Sequence, residues 1–190
     1  EVILFGKPDH PESIGTSYYL KGKDTFFIWH PEDYQNAIGY IKKNALEKVA
    51  FIPQTTMSVE GYSKLISNIN ENSDYNFAEI PLNMRNLDIK YGFVDTICMP
   101  TKQRQTDTEE IAKKSDVVIV IGGKNSSNTK ELVAKCKSLG VETYFIQSEE
   151  QLEKEWIEGK NVVGISAGAS TPDEVIESVV KAIKEIGIEN

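Results

Sequence analysis

Thiols are scarce in this chain. Two cysteines, Cys98 and Cys136, stand among 190 residues, too few for the disulfide framework of a small secreted domain. Missing as well are a secretory hydrophobic segment and any apolar run of the roughly 18 residues that a membrane-spanning helix needs. Positive charge is in deficit: 21 Lys and Arg against 29 Asp and Glu leave a net charge of -8. That balance argues against nucleic acid and against a membrane surface as main partners. An anionic small ligand would need local donors, because the overall field opposes it. A cytoplasmic address is expected. An initiator Met is also absent. The chain opens inside a strand pattern, Val2–Phe5, so further sequence is expected ahead of it.

What is present is enough for a folded core: 39% of residues are hydrophobic and 26% charged. The organising stretch is Asp116–Glu131. Val117–Ile121 is a continuous apolar run, the mark of a strand buried on both faces. Gly122 and Gly123 end it, and Lys124, Asn125, Ser126, Ser127 and Asn128 lead into a helix. A parallel strand that turns at Gly into a helix start presents free backbone N–H groups and a positive dipole end, which is anion-binding geometry.

The same unit recurs. Strands are expected at Val2–Gly6, Thr25–Trp29, Val49–Ile52, Val117–Ile121, Val141–Ile146 and Val162–Ser166, with a short one near Ala78–Pro81. Helices are expected at Ser13–Leu20, from Pro31 to about Lys43, after Ser58 with Val59, Tyr62, Leu65, Ile66 and Ile69 on one face, over Thr101–Lys114, over Ser127–Leu139, over Glu149–Gly159, and from Thr171 onward. Gly140 reads as a helix C-cap, and Thr171-Pro172-Asp173-Glu174 as a capping box. Thr106 and Glu109 read as either a capping box or a mid-helix pair. The polar stretch Glu71–Tyr91 followed by Gly92-Phe93-Val94-Asp95 suggests a boundary. The expected fold is α/β: two similar small three-layer units, 1–94 and 95–190, each a mostly parallel sheet flanked by helices. In the repeat, Ile3–Lys7 parallels Val120–Lys124, Thr25–Ile28 parallels Thr143–Ile146, and Val49–Ile52 parallels Val162–Ile165.

Ligands of such folds sit beyond the carboxyl ends of the strands. The turns there are His10-Pro11-Glu12, Gln54-Thr55-Thr56, Ser126-Ser127-Asn128 and Ala169-Ser170. Their hydroxyls, amide and imidazole suit a diphosphate held without a metal. Glu12 repels phosphate and makes sense as a proton source beside a reacting hydroxyl. Taken singly, Ser, Thr and Asn at helix starts are caps; their collection on one rim points to function. His10, before Pro11, reads equally as a turn residue and as a contact. His30 and Cys136 read as structural. Cys98, just before a helix, is biased towards thiolate and could ligate a metal, but a metal site needs several ligands.

These residues resemble a known family. Asp95-Thr96-Ile97-Cys98 with Gln103-Arg104-Gln105, Gly123–Asn128, and Ser166–Asp173 are similar to 4-hydroxy-3-methylbut-2-enyl diphosphate reductase, the iron–sulfur LytB family that ends the methylerythritol phosphate route to isoprenoids. His10-Pro11-Glu12 with Gly15-Thr16, and Gln54–Val59, fit in the same order, so the match covers nearly the whole chain. The resemblance implies three α/β units around a cluster, with this chain supplying the second and third. It implies Cys98 as one of three thiolates on a [4Fe–4S] cluster. His10, Thr55, Thr56, Ser126, Ser127, Asn128 and Ser170 would bind the substrate diphosphate. Glu12, helped by Thr55, would relay the proton that lets the substrate hydroxyl leave as water. An external electron donor such as ferredoxin or flavodoxin is implied. The first unit with the other cluster cysteines is missing, Asp74–Tyr91 is longer than usual, Met99-Pro100 is an unusual pair, and the family's closing tail is missing after Asn190. The isolated chain is therefore expected to lack both a stable cluster and reductase activity. Two other readings stay open: a stand-alone, non-catalytic module that binds a phosphorylated metabolite, and a structural repeat whose polar turns are only caps.

Overall fold

A computed structural model describes residues 1–20, 25–83 and 89–188. Part of the Asp74–Tyr91 stretch lies outside these described residues. The chain divides by its contacts into two compact units, Glu1–Cys98 and Met99–Asn190.

Among the described residues unit 1 is built on five parallel strands: β1 (Val2–Phe5), β2 (Phe26–Ile28), β3 (Val49–Pro53), β4 (Ala78–Glu79) and β5 (Tyr91–Phe93), in the order β2-β1-β3-β5-β4. Residues i and i+2 share a sheet face. Ile3, Phe5, Val49 and Phe51 therefore meet α2 (Tyr34–Lys43) and α3 (Val59–Asn72), which bring Ala37, Ile38, Ile41, Leu65, Ile66 and Ile69 into one core. Val59, expected on that face, is exposed at the first position of α3. Leu4 and Ile52 point the other way, towards α1 (Pro11–Tyr19).

Unit 2 holds three parallel strands, β6 (Val117–Ile121), β7 (Glu142–Ile146) and β8 (Val163–Ala167), in the order β7-β6-β8. Every β6 residue is fully buried, as its apolar run predicts. Val118 and Val120 pack with Ala112 of α4 (Met99–Ala112) and with Leu132 and Cys136 of α5 (Ser127–Ser138). Val117, Ile119 and Ile121 pack with Val175, Ile176, Val179 and Ile183 of α6 (Asp173–Ile188). Burying each such side chain contributes roughly 1.5–3 kcal/mol, which makes β6 the mainstay of its unit. Gly140 follows α5 with φ +76°, the left-handed C-cap conformation.

The structure departs from the sequence reading in several places. Tyr91–Phe93, read as part of a boundary, is a strand of the unit 1 sheet, paired to both β3 and β4. Glu149–Gly159 is not an α-helix but two 3-10 turns, Glu149–Gln151 and Lys154–Trp156. Trp156 stacks on Tyr144 at 4.1 Å and Leu152 packs on the same core, so burial of two side chains rather than helical periodicity sets this segment. Thr106 and Glu109 sit inside α4, the Thr106 hydroxyl donating to Lys102 O and the Glu109 carboxylate pairing with Lys113 and Lys135; they are a mid-helix pair and no capping box. α6 starts at Asp173, and the Thr171 hydroxyl donates to Ile121 O at 3.1 Å, tying the turn to the end of β6.

The repeat is real, with a corrected register. Phe5 pairs with Ile28 and Pro53, and Ile121 pairs with Ile146 and Ala167. Phe5 thus corresponds to Ile121 and Pro53 to Ala167. The alignment of Thr25–Ile28 with Thr143–Ile146 stands, whereas the other two were each one residue out. The double glycine Gly122-Gly123 invites that slip, because Gly6 can be matched to either.

Candidate functional site

The corrected register superimposes the loops as well as the strands. In unit 1 the Gly6 N–H donates to Ile28 O at 2.9 Å and the Gln54 N–H to Phe5 O at 2.8 Å. In unit 2 the Gly122 N–H donates to Ile146 O and the Gly168 N–H to Ile121 O, both at 2.9 Å. Gly6 therefore matches Gly122, and Gln54 matches Gly168. By the same count His10 matches Ser126, Glu12 matches Asn128, Ser13 matches Thr129, Thr55 matches Ala169 and Thr56 matches Ser170. Each unit brings a helix start and a strand-end turn to one point beyond its sheet.

In unit 1, His10 is the N-cap of α1, its Nδ1 accepting from the Glu12 N–H at 3.2 Å. An accepting Nδ1 leaves the proton of a neutral imidazole on Nε2, available to a ligand. Glu12 is joined to Thr55 twice. The Thr55 N–H donates to Oε1 at 2.7 Å and the Thr55 hydroxyl to Oε2 at 2.9 Å. Both line a pocket of about 260 Å³ whose walls include Leu4, Thr16, Ile52 and Thr96. Thr56 is engaged within its own turn, where its hydroxyl accepts from Gln54 Nε2 at 2.9 Å. Gln54 is a site residue that the sequence reading placed in a turn without a role: it is 4% exposed and its Oε1 accepts from the Lys7 N–H.

Cys98 is half-buried at the end of unit 1. Its N–H donates to Thr55 O at 3.1 Å, and the Thr96 hydroxyl donates to Pro53 O at 2.6 Å. These bonds strap the 95–98 segment along the turn that carries Thr55.

In unit 2, Ser126 is the N-cap of α5, its hydroxyl accepting from the Thr129 N–H at 3.2 Å. Ser127 follows, half-buried, and Ser170 stands exposed in the turn after β8. Asn128 is 4% exposed, yet neither Nδ2 nor Oδ1 has a hydrogen-bond partner. Buried amides are nearly always satisfied, and an orphan costs roughly 1–3 kcal/mol. The register supplies the cause. Asn128 occupies the place of Glu12, but Ala169 stands where Thr55 offers its hydroxyl. The amide is left facing a partner that its own unit does not provide, at a helix start already suited to an anion. Arg104, on α4, donates from Nη1 to Ala167 O at 3.2 Å and braces that turn from behind.

The structural readings of His30 and Cys136 agree with their surroundings. His30 stacks on Trp29, over which the Lys7 ammonium lies 4.6 Å from the ring centroid. Cys136 is fully buried, and burial pushes its thiol up to about 11. Among the described residues no three His, Cys, Asp or Glu side chains group in a way that could hold a metal ion. A lone Cys98 is not the donor set of a [4Fe–4S] cluster, so the residues described do not fit that group by themselves. No helix among them is long and apolar enough to cross a membrane.

The chain is 38% identical over 186 residues to 4-hydroxy-3-methylbut-2-enyl diphosphate reductase of Campylobacter concisus (strain 13826), which takes in 98% of this chain and 60% of that protein. It is 38% identical over 188 residues to the reductase of the same name from Aquifex aeolicus (strain VF5), covering 97% and 57%. The chain thus spans about 60% of the length of the curated relatives it matches. The solved structure of E-1-hydroxy-2-methyl-but-2-enyl-4-diphosphate reductase from Plasmodium falciparum shares the fold, with a TM-score of 0.74 at 23% identity over 95% of this chain and 51% of that one. The family model described as LytB protein matches residues 1–184, nearly the whole chain, and the chain therefore belongs to the LytB family.

Proposed function

We propose that this chain is a portion of a 4-hydroxy-3-methylbut-2-enyl diphosphate reductase, an oxidoreductase that removes the hydroxyl of an allylic diphosphate to give isopentenyl and dimethylallyl diphosphate. The overall change consumes two electrons, from an external donor such as ferredoxin or flavodoxin, and two protons, and releases water. The observation that carries the reading is the Glu12–Thr55 pair, a carboxyl group gripped at both oxygens on the wall of a pocket. A group so oriented can hold a proton at one oxygen and present it to a leaving hydroxyl. Anion-binding groups are offered within each unit by hydroxyls, amides and helix starts: His10 and Thr56 in unit 1, and Ser126, Ser127, Asn128 and Ser170 in unit 2. The unpaired amide of Asn128 supports the assignment, because a phosphate oxygen would accept from Nδ2. In a longer protein Cys98 would lend one thiolate to an iron–sulfur cluster, with the other ligands coming from outside this chain. Cytoplasmic action agrees with that chemistry.

The unpartnered amide of Asn128 also supports a second reading, a non-catalytic module that binds a phosphorylated metabolite. Titration with inorganic pyrophosphate followed by amide resonances tests what the two share: Ser126, Ser127, Asn128 and Ser170 should shift saturably. Glu12→Gln separates them. In a chain extended to the length of the relatives, turnover should be lost while diphosphate affinity is kept. Turnover that survives the substitution overturns the proton role, and flat resonances overturn both readings.

A further inference from the structure

Thr129 has no part in the diphosphate contacts proposed above, yet it is the most confined polar residue near them. It is 0% exposed, and its hydroxyl has no hydrogen-bond partner. A Cβ added to Gly122 would lie 2.4 Å from Thr129 Oγ1 and 2.8 Å from its methyl carbon; one added to Gly168 would lie 2.2 Å from the same oxygen. The Thr129 side chain thus fills the space that two glycines leave open, one at the end of β6 and one in the turn after β8. Its own N–H holds the Ser126 hydroxyl. Unit 1 solves the same packing problem from the opposite side. There the turn residue Gln54 comes within 2.9 Å of a Cβ added to Gly6, and the helix residue Ser13 stays 3.4 Å away. A large turn residue with a small helix residue has been exchanged for glycine in the turn and threonine on the helix.

We propose that Thr129 is the positioning residue of the unit 2 anion cradle: its branched side chain, seated between Gly122 and Gly168, sets the first turn of α5 against the β8 turn and so fixes Ser126, Asn128 and Ser170 relative to one another. Branching at Cβ restricts χ1 in a helix, and a side chain that abuts two backbones holds all three segments. The functional half of this inference rests on the diphosphate reading, whereas the steric half does not.

The test is a pyrophosphate titration of the whole chain, read at the amides of Ser126, Ser127, Asn128 and Ser170. Thr129→Ala, which removes the wedge, should raise Kd about tenfold, the equivalent of one lost hydrogen bond to a charged group. Thr129→Val, which keeps the shape and drops the hydroxyl, should recover affinity to within about twofold of the parent. Gly168→Ala should raise Kd at least as much as Thr129→Ala, and the double variant Thr129→Ala/Gly168→Ala should regain most of that loss, because the new methyl then has room. A merely structural role would lower the melting temperature without changing the Kd of folded protein. Unchanged Kd in Thr129→Ala, or a double variant no better than Gly168→Ala, overturns the proposal. If Gly168→Ala fails to fold, refolding of the double variant supports the wedge and its failure to fold overturns it. If the parent chain ignores pyrophosphate, the anion reading fails, and the wedge is judged without ligand: Gly168→Ala must displace the Ser126–Asn128 resonances and Thr129→Ala must return them.

Discussion

Glu12 and Asn128 occupy the same place in two copies of one fold, and they are treated oppositely. Glu12 has both oxygens held by Thr55 within its own unit. Asn128 has neither polar atom held. A group that is fully bonded before any ligand arrives is oriented for chemistry. One left unbonded is open for recognition. The difference turns on a single exchange, Thr55 in one turn against Ala169 in the other.

The largest test of that contrast is the pair Glu12→Ala and Asn128→Leu. The first strips a charged acceptor from two donors and should lower unfolding free energy by about 2–3 kcal/mol. The second removes an unsatisfied amide at similar volume and should cost nothing or stabilise. Urea unfolding measures both, and equal losses would erase the asymmetry. Next comes Tyr62→Phe. The Tyr62 hydroxyl lies 2.9 Å from Phe51 O and 3.1 Å from Val94 O, joining β3 to the segment after β5. Desolvation, with Asp95 nearby, raises the pKa of that phenol. Among the described residues unit 2 shows no counterpart of β5, and Ile176 stands at the matching position. Loss of the hydroxyl should cost about 1–2 kcal/mol, with faster hydrogen exchange in β5. A smaller effect is expected from Ala169→Thr, which gives unit 2 the hydroxyl of unit 1. It should add about 1 kcal/mol to stability and weaken pyrophosphate binding, making unit 2 resemble its neighbour.

The smallest effect concerns charge. Glu109 on α4 pairs with Lys113 at 2.6 Å and with Lys135 of α5 at 2.8 Å, and these ammonium groups hold its carboxyl down at about 2, from an ordinary 4.5. A depressed folded pKa stabilises above the unfolded value, and that contribution fades as pH falls from about 4.5 towards 2. Glu109→Gln should flatten the acid limb of a pH–stability curve in that window, and added salt should do the same, since the cluster is near solvent. The unit 1 pair Lys64–Glu32 is more exposed and bonds a single lysine, so Glu32→Gln should flatten it less.

Much of this was legible in the residues. The run Val117–Ile121 announces a strand covered on both faces, and the helical spacing of Ala37, Ile38 and Ile41 or of Leu65, Ile66 and Ile69 gives each helix its inner face. The turns carrying His10, Glu12, Thr55, Ser126, Asn128 and Ser170 could be named because chain polarity puts them beyond strand ends. Other features resisted for physical reasons. Tyr91–Phe93 is three residues long with a glycine at its centre, and its strand character comes from neighbours on both sides. Leu152, Trp156 and Ile157 mimic a helical stripe although two tight turns bury them. Gln54 and Thr129 look like ordinary turn and cap residues. The signal that singles them out is the pairing of Gly6…Ser13 with Gly122…Thr129, visible only once the repeat is read in the right register.

Thr55 has one further consequence. Its amide end meets the acid and its carbonyl end receives the main chain of Cys98. One residue thus joins the Glu12 carboxyl group on one side to the Cys98 segment on the other. Alkylating Cys98 should shift the Thr55 and Glu12 resonances while leaving those of β6 in place.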